Sequence, residues 1–208
     1  MGSSVPKDAE TMVAELSRAI ESRSRETGRH VRRVAEYSRL LGELAGLDSE
    51  TAGLLYQAAP LHDAGKIAIP DDVLHKPGPH TEAESTIMRT HAELGRQFFV
   101  EHDSPVMRAA AIVAGQHHER WDGRGYPNGI RGEAIHIFGR VIALADVFDA
   151  LTHPRCYKPA WPLHQALEYI VQESGSRFDP SLVELFMSHL DRFLDIYERL
   201  RDPTGPMH

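Results

Sequence analysis

Asp146 stands in one of the most apolar stretches of the chain, RVIALADVFDAL. A carboxylate taken out of water must be hydrogen-bonded, paired with a cation or bound to a metal. Asp149 follows three residues later on the same helical face. A buried salt bridge or a bond to a helix end would also explain Asp146, so the neighbouring candidates matter. His62-Asp63 end a helix in LHDAGK. A neutral imidazole beside a carboxylate suits a divalent transition metal. With two oxygens, Asp63 could bridge two ions while His62 serves one. His117-His118 close a mostly apolar helix, AAAIVAGQHHER, although a helix C-terminus favours histidine in any case. Glu26 and His30 are four apart and project from one helix face at two-ligand spacing. His91 lies mid-helix in RTHAELG. Alone, each has an ordinary reading as a helix end, an exposed pair or a surface residue. Together they make five histidines and three carboxylates, with no thiolate among them. Eight such donors exceed the needs of one zinc and suit two or three iron or manganese ions. Two ions about 3.5–4 Å apart can hold a bridging hydroxide and clamp a phosphodiester for in-line attack. The other eight of the 13 histidines are assigned to surface or packing.

The elements that must carry these residues read as all-α. Apolar spacing predicts helices over Lys7–Ser24, Thr27–Ala45 (ended by Gly46), Asp48 to about Asp63, and Phe138–Leu151. Two more are expected over Leu163–Glu173 and Pro180–Arg199. Pro60 should bend or break the third of these. Thr81 with Glu84 reads as a capping box opening a helix to about His102. Ser104-Pro105 starts the next, to about Glu119. Gly65–Pro79 reads as loop, and Trp121–Gly132 as an ordered loop or short hairpin.

Composition removes several classes of function. The chain has 208 residues, 41% hydrophobic and 25% charged, an ordinary globular balance. One cysteine excludes a disulfide framework and cysteine-based zinc sites. A net charge of -7 argues against binding long nucleic acid by bulk charge. No apolar run approaches the ~18 residues of a membrane span. The N-terminus has no signal-peptide pattern, so a cytoplasmic location is the expectation. Residues 1–25 are expected to form a lead helix or linker, 26–200 one domain, and 201–208 a tail.

ETGRHVRRV (26–34), LHDAGKIAIPD (61–71), Lys76-Pro77-Gly78, HHERWDGRGYPNG (117–129), ADVFDALT (145–152) and FDP (178–180) occur in that order. With these motifs the chain resembles the HD-GYP family, a branch of the HD phosphohydrolases, over about residues 26–190. The resemblance implies a bundle of about seven to nine helices with a short GYP loop or hairpin. It implies a metal-dependent phosphodiesterase that hydrolyses the bacterial second messenger cyclic di-GMP to pGpG or GMP, with a metal-bridging hydroxide as nucleophile. His30, His62, Asp63, His91, His117, His118 and Asp146 match the family's ligands for two divalent ions, iron or manganese, with Asp63 as the bridge. Glu26 matches a glutamate that holds a third ion in some members. Lys66 matches a lysine on the scissile phosphate, which makes Asp63 and Lys66 the catalytic pair. Tyr126 of Gly125-Tyr126-Pro127 lies close to the site in the family. Arg155 and Lys158 match basic residues that hold guanine or phosphate. Asp149, like Asp63, is a candidate to orient the hydroxide or protonate the leaving 3′ oxygen, and counts among the substrate-binding residues. Ala64, His136, Gly139 and Cys156 depart from residues common in the family, and none is a ligand. The resemblance implies contacts of the GYP loop with GGDEF-domain proteins, and the lead helix is open to a signalling or homodimerisation role. A metal-bound sensor that binds cyclic di-GMP without turnover, or a phosphohydrolase acting on another nucleotide or cyclic dinucleotide, are the alternatives.

Overall fold

Helical periodicity runs through most of the chain, and no β-strand forms among the described residues beyond one isolated bridge, Ser174 to Phe178. The computed structural model describes residues 7–24, 28–154 and 159–201. It contains α1 (Lys7–Ser24), α2 (Gly28–Leu44), α3 (Ser49–Ala58), α4 (Asp71–Leu74) and α5 (Glu82–Phe99). There follow α6 (Pro105–Gln116), α7 (Ile137–Thr152), α8 (Leu163–Gln172), α9 (Pro180–Ser188) and α10 (Leu190–Arg199). Three 3-10 turns intervene, at Ala59–Leu61, Ala64–Ala68 and Gly132–Ala134.

The expected starts hold for identifiable reasons. The Asp48 side chain accepts from the Thr51 amide and caps α3. Thr81 and Glu84 form a full capping box at α5. Pro105 opens α6, where its missing amide is harmless. Pro60 stops α3, and the chain tightens into a 3-10 turn before His62.

α7 is the axis of the core. It is apolar on nearly every face and buried along most of its length. Helices α2, α6, α8 and α9 pack around it. Tyr37, Phe148, Phe186 and Phe193 tie four helices together, with successive ring centroids at 5.2, 5.0 and 4.5 Å. Such tilted aromatic pairs each contribute about 1 kcal/mol beyond their buried area.

Three elements differ from expectation. The single helix read over 180–199 is two helices broken at His189. In a straight helix Phe186 and Phe193 would stand about 10 Å apart along the axis, whereas the break brings their rings to 4.5 Å. The 65–79 stretch read as loop contains the Ala64–Ala68 turn and the one-turn helix α4, where Asp71 and Asp72 suit the helix N-terminus. These two changes carry the count to ten α-helices among the described residues. The lead helix α1, set apart from the 26–200 domain in the sequence reading, buries Val13 and Ile20 in the common core. Its Arg23 donates to the Ile69 carbonyl at 2.8 Å and pairs with Asp71 at 3.0 Å. It is therefore docked on the turn that carries Lys66.

That turn lies hard against α5. A Cβ added to Gly65 would sit 1.9 Å from the His91 carbonyl oxygen and 2.6 Å from the Gly95 nitrogen. The approach sets the spacing between His62-Asp63 and His91. Gly65→Ala is expected to cost about 2–3 kcal/mol, read as a lowered denaturant midpoint; an unchanged midpoint would show that the two backbones can separate freely.

Candidate metal centre

Five helices or turns deliver side chains to one buried place. His30 comes from α2, and His62 and Asp63 from the link between the first two 3-10 turns. His91 comes from α5, His117 and His118 from the end of α6, and Asp146 from α7. They form two donor groups: Asp63, His91, His117 and His118 in one, His30, His62 and Asp146 in the other. Within each group the donor atoms all lie within 4.8 Å of one another.

Asp63 spans the two. Its Oδ1 lies 3.3 Å from His91 Nε2 and 3.7 Å from His117 Nε2. Its Oδ2 lies 3.3 Å from His62 Nε2 and 2.6 Å from Lys66 Nζ. Asp146 Oδ1 is 3.7 Å from His30 Nε2 and 4.0 Å from His62 Nε2.

The ring orientations say what these donors fit. His62 Nδ1 faces the Ala59 carbonyl at 2.8 Å, and His91 Nδ1 the Met88 carbonyl at 2.7 Å. His117 Nδ1 faces the carbonyls of Val113 and Ala114, both at 3.0 Å. A carbonyl can only accept, so each Nδ1 carries the proton and each Nε2 presents a lone pair inward. Burial pushes the His91 pKa down to about 4, the nearby Asp63 charge notwithstanding, so the ring is neutral. Burial and the neighbouring histidines hold His118 well below the ordinary value too. His91 and His117 Nε2 nevertheless face each other at 3.3 Å. Two lone pairs and a carboxylate oxygen so close repel unless a cation lies among them. Burial would raise the Asp63 pKa, but the Lys66 ammonium beside it acts the other way, and the group lies well below the ordinary carboxylate value. Neutral imidazoles and ionised carboxylates in this arrangement fit divalent transition metals.

Asp149 is enclosed by side chains from α2 and from the end of α7. It is 1% exposed, and Arg33 grips both its oxygens, Nε to Oδ1 at 2.5 Å and a terminal nitrogen to Oδ2 at 3.1 Å. His30 Nδ1 lies 2.7 Å from Oδ2 and His153 Nδ1 3.2 Å from Oδ1. Burial would raise its pKa, yet the bonds from His153, His30 and Arg33 hold it well below the carboxylate range. With both oxygens engaged in this way, Asp149 is buried behind His30. It orients His30, so that Nε2 faces Asp146. Arg33 also donates to the Leu200 carbonyl at 3.1 Å, fastening the end of α10.

The Gly125-Tyr126-Pro127 loop closes one side. Gly125 passes so near His118 and Glu119 that a Cβ would meet the His118 carbonyl at 2.5 Å. The Tyr126 amide donates to the same carbonyl, and its ring stacks on His118 at 4.6 Å. Buried Glu119 receives the Asn128 amide at 2.8 Å and braces the loop from inside. Glu26, Arg155 and Lys158 lie outside the described residues. The departing His136 and Gly139 meet at one partner: Gln116 accepts from the His136 amide, and its Cβ lies where a Cβ on Gly139 would be 2.7 Å away.

Arg33, His153 and Glu119 were missed from the sequence. Arg33 is one of three arginines in RHVRR and its neighbourhood, and nothing local says which of them turns inward.

An HD domain family model matches residues 15–182. A 3'3'-cGAMP-specific phosphodiesterase 2 of Vibrio cholerae is 46% identical over 191 residues, covering 92% of this chain and 37% of that protein. A cyclic di-GMP phosphodiesterase of the same organism is 42% identical over 203 residues, covering 91% of this chain and 41% of that protein. The chain thus spans about two-fifths of the length of these relatives. A crystal structure of a cyclic GMP-AMP phosphodiesterase from V. cholerae shares the fold, with a TM-score of 0.65 at 23% identity over 93% of this chain and 53% of that one.

Arg33→Met removes one partner of a buried ion pair and should destabilise the metal-free protein by about 3–5 kcal/mol, measured by urea unfolding. Metal affinity should fall about 10–100-fold through the loosened His30, measured by titration. Unfolding at the wild-type midpoint would show that Asp149 does not depend on Arg33.

Proposed function

The chain belongs to the HD domain family, and from that premise we propose that it is a metal-dependent phosphodiesterase opening cyclic di-GMP to pGpG or GMP. The observation that carries the reading is one carboxylate, Asp63, shared between two sets of inward-facing imidazoles, with Lys66 at 2.6 Å. Asp63, His91, His117 and His118 would hold one divalent ion, and Asp63, His30, His62 and Asp146 a second. Glu26 is proposed for a third. Nitrogen and oxygen donors without thiolate favour iron or manganese. Such ions supply an acidified water and positive charge against the phosphoryl oxygens.

The chain's own groups do the rest. Lys66, half-buried beside Asp63, offers an ammonium to the phosphoryl oxygens as negative charge grows on them. Asp63 is the one of the two candidate carboxylates that faces the reaction space. Tyr126, stacked on His118, forms the wall against which the dinucleotide lies. Arg155 and Lys158 are proposed to grip guanine or phosphate. Residues 26–200 are taken as the catalytic unit, with α1 as a docked lead helix and 201–208 as tail. No described helix is long and apolar enough to cross a membrane, and we place the activity in the cytoplasm, where the second messenger is made. GGDEF-domain proteins at the GYP loop and a homodimer through α1 complete the proposal.

A second reading has its own support. The relative at 46% identity is named for 3'3'-cGAMP rather than cyclic di-GMP. The two substrates differ in one base and share both phosphodiester linkages, so the metal centre serves either.

The test is anaerobic purification with metal analysis, followed by chromatography of cyclic di-GMP and 3'3'-cGAMP digests. Wild type should retain two or three iron or manganese ions and turn over at least one dinucleotide. Asp63→Ala should lose turnover by at least about a hundredfold and retain fewer ions. Tight binding without turnover would convert the reading to a sensor, and a preparation that takes up no transition metal would sink the site itself. One ion fewer in Glu26→Ala would assign Glu26 its ion.

A further inference from the structure

A cyclic dinucleotide carries two phosphodiesters, and only one can occupy the metal centre at a time. The other needs a counter-charge outside the donor set, and Lys66 is held at Asp63. Arg89 is placed to supply it. It lies on α5 two residues before His91, and its side chain is exposed. Its guanidinium carbon stands 5.5 Å from the centroid of the Tyr126 ring. That ring in turn stacks on His118 at 4.6 Å. Arg89 is thus one stacked ring away from the metal donors, on their solvent side.

Two features mark it as a binding group. A guanidinium lying over an aromatic ring is held in orientation while its in-plane N–H edges stay available to acceptors. Among the described residues no carboxylate pairs with Arg89, so the guanidinium over the Tyr126 ring keeps its charge for an anion from solution.

We propose that Arg89, stacked on Tyr126, is the recognition group for the non-reacting phosphodiester of the cyclic dinucleotide, and so distinguishes a two-phosphate ring from a simple phosphodiester. The proposal rests on the phosphodiesterase reading above. Tyr126 serves it twice, as the wall beside His118 and as the platform that aims the guanidinium outward.

The experiment compares Arg89→Ala and Arg89→Lys with wild type on cyclic di-GMP, on 3'3'-cGAMP, and on bis(p-nitrophenyl) phosphate, which has a single phosphodiester. Bound metal is counted in each preparation. Loss of a charge-assisted contact should raise KM for the dinucleotide by about tenfold, with kcat, metal content and bis(p-nitrophenyl) phosphate turnover unchanged. Arg89→Lys should recover only part of the loss, because an ammonium keeps the charge but not the planar fork. An unmoved dinucleotide KM in Arg89→Ala would overturn the proposal alone. Equal losses on dinucleotide and simple diester would also overturn it, by making Arg89 a support of the metal centre. A wild type that cleaves bis(p-nitrophenyl) phosphate but neither binds nor cleaves either cyclic dinucleotide would overturn the parent reading and this one together.

Discussion

The His91 and His117 Nε2 atoms face each other at 3.3 Å beside the Asp63 carboxylate, and a cation among these donors would stabilise the arrangement. The rest of the structure can be understood as the framework that holds these donors in place. Three of the histidines have their outer nitrogens bonded to carbonyls of their own helix or turn, three or four residues back. The local backbone therefore sets the tautomer, and the rings cannot escape by turning over. His30 differs from these three: its outer nitrogen meets Asp149, a side chain from α7.

That contact ties the centre to the whole bundle. Arg33 holds Asp149 and also the last turn of α10, so α2, α7 and α10 share one buried ion pair. Arg29, one turn earlier on α2, donates to the Arg201 carbonyl and fastens the same end. A buried pair of this kind is expensive to desolvate and contributes little net stability over an apolar core. Its value here lies in geometry, because a His–Asp–Arg chain leaves one orientation for His30. The aromatic cluster of Tyr37, Phe148, Phe186 and Phe193 lies on the same three helices and α9, and supplies the apolar burial that the ion pair does not.

Opposite this rigid layer, the Gly-Tyr-Pro loop forms the working face. Gly125 lets the backbone press on His118 and Glu119, and Tyr126 then covers the donor set with its ring. The loop has no regular structure to hold it, and buried Glu119 substitutes for one by accepting the Asn128 amide.

Much of this was legible in the chain itself. The all-helical class follows from apolar periodicity, and the capping box at Thr81 and Glu84 and the stop at Pro60 follow from short-range chemistry. Asp146 announced itself because a charge amid continuous apolar neighbours demands a partner. His62, Asp63, His91, His117 and His118 were selected by residue type and order, and the fold brings all of them together with His30. What failed was what depends on contacts between distant segments. The break at His189 serves a ring contact between α9 and α10, and no local signal marks it. The spacing of Asp149 from Asp146 resembles a shared face, and only the fold shows that Arg33, more than a hundred residues away, grips both its oxygens. No local signal marks Arg89; packing alone places it over Tyr126. Residue type and spacing decide which donors and which helices exist, since those are properties of neighbours in the chain. Which carboxylate meets the centre, and which is locked behind it, depends on side chains that only packing brings together, and so belongs to the tertiary structure.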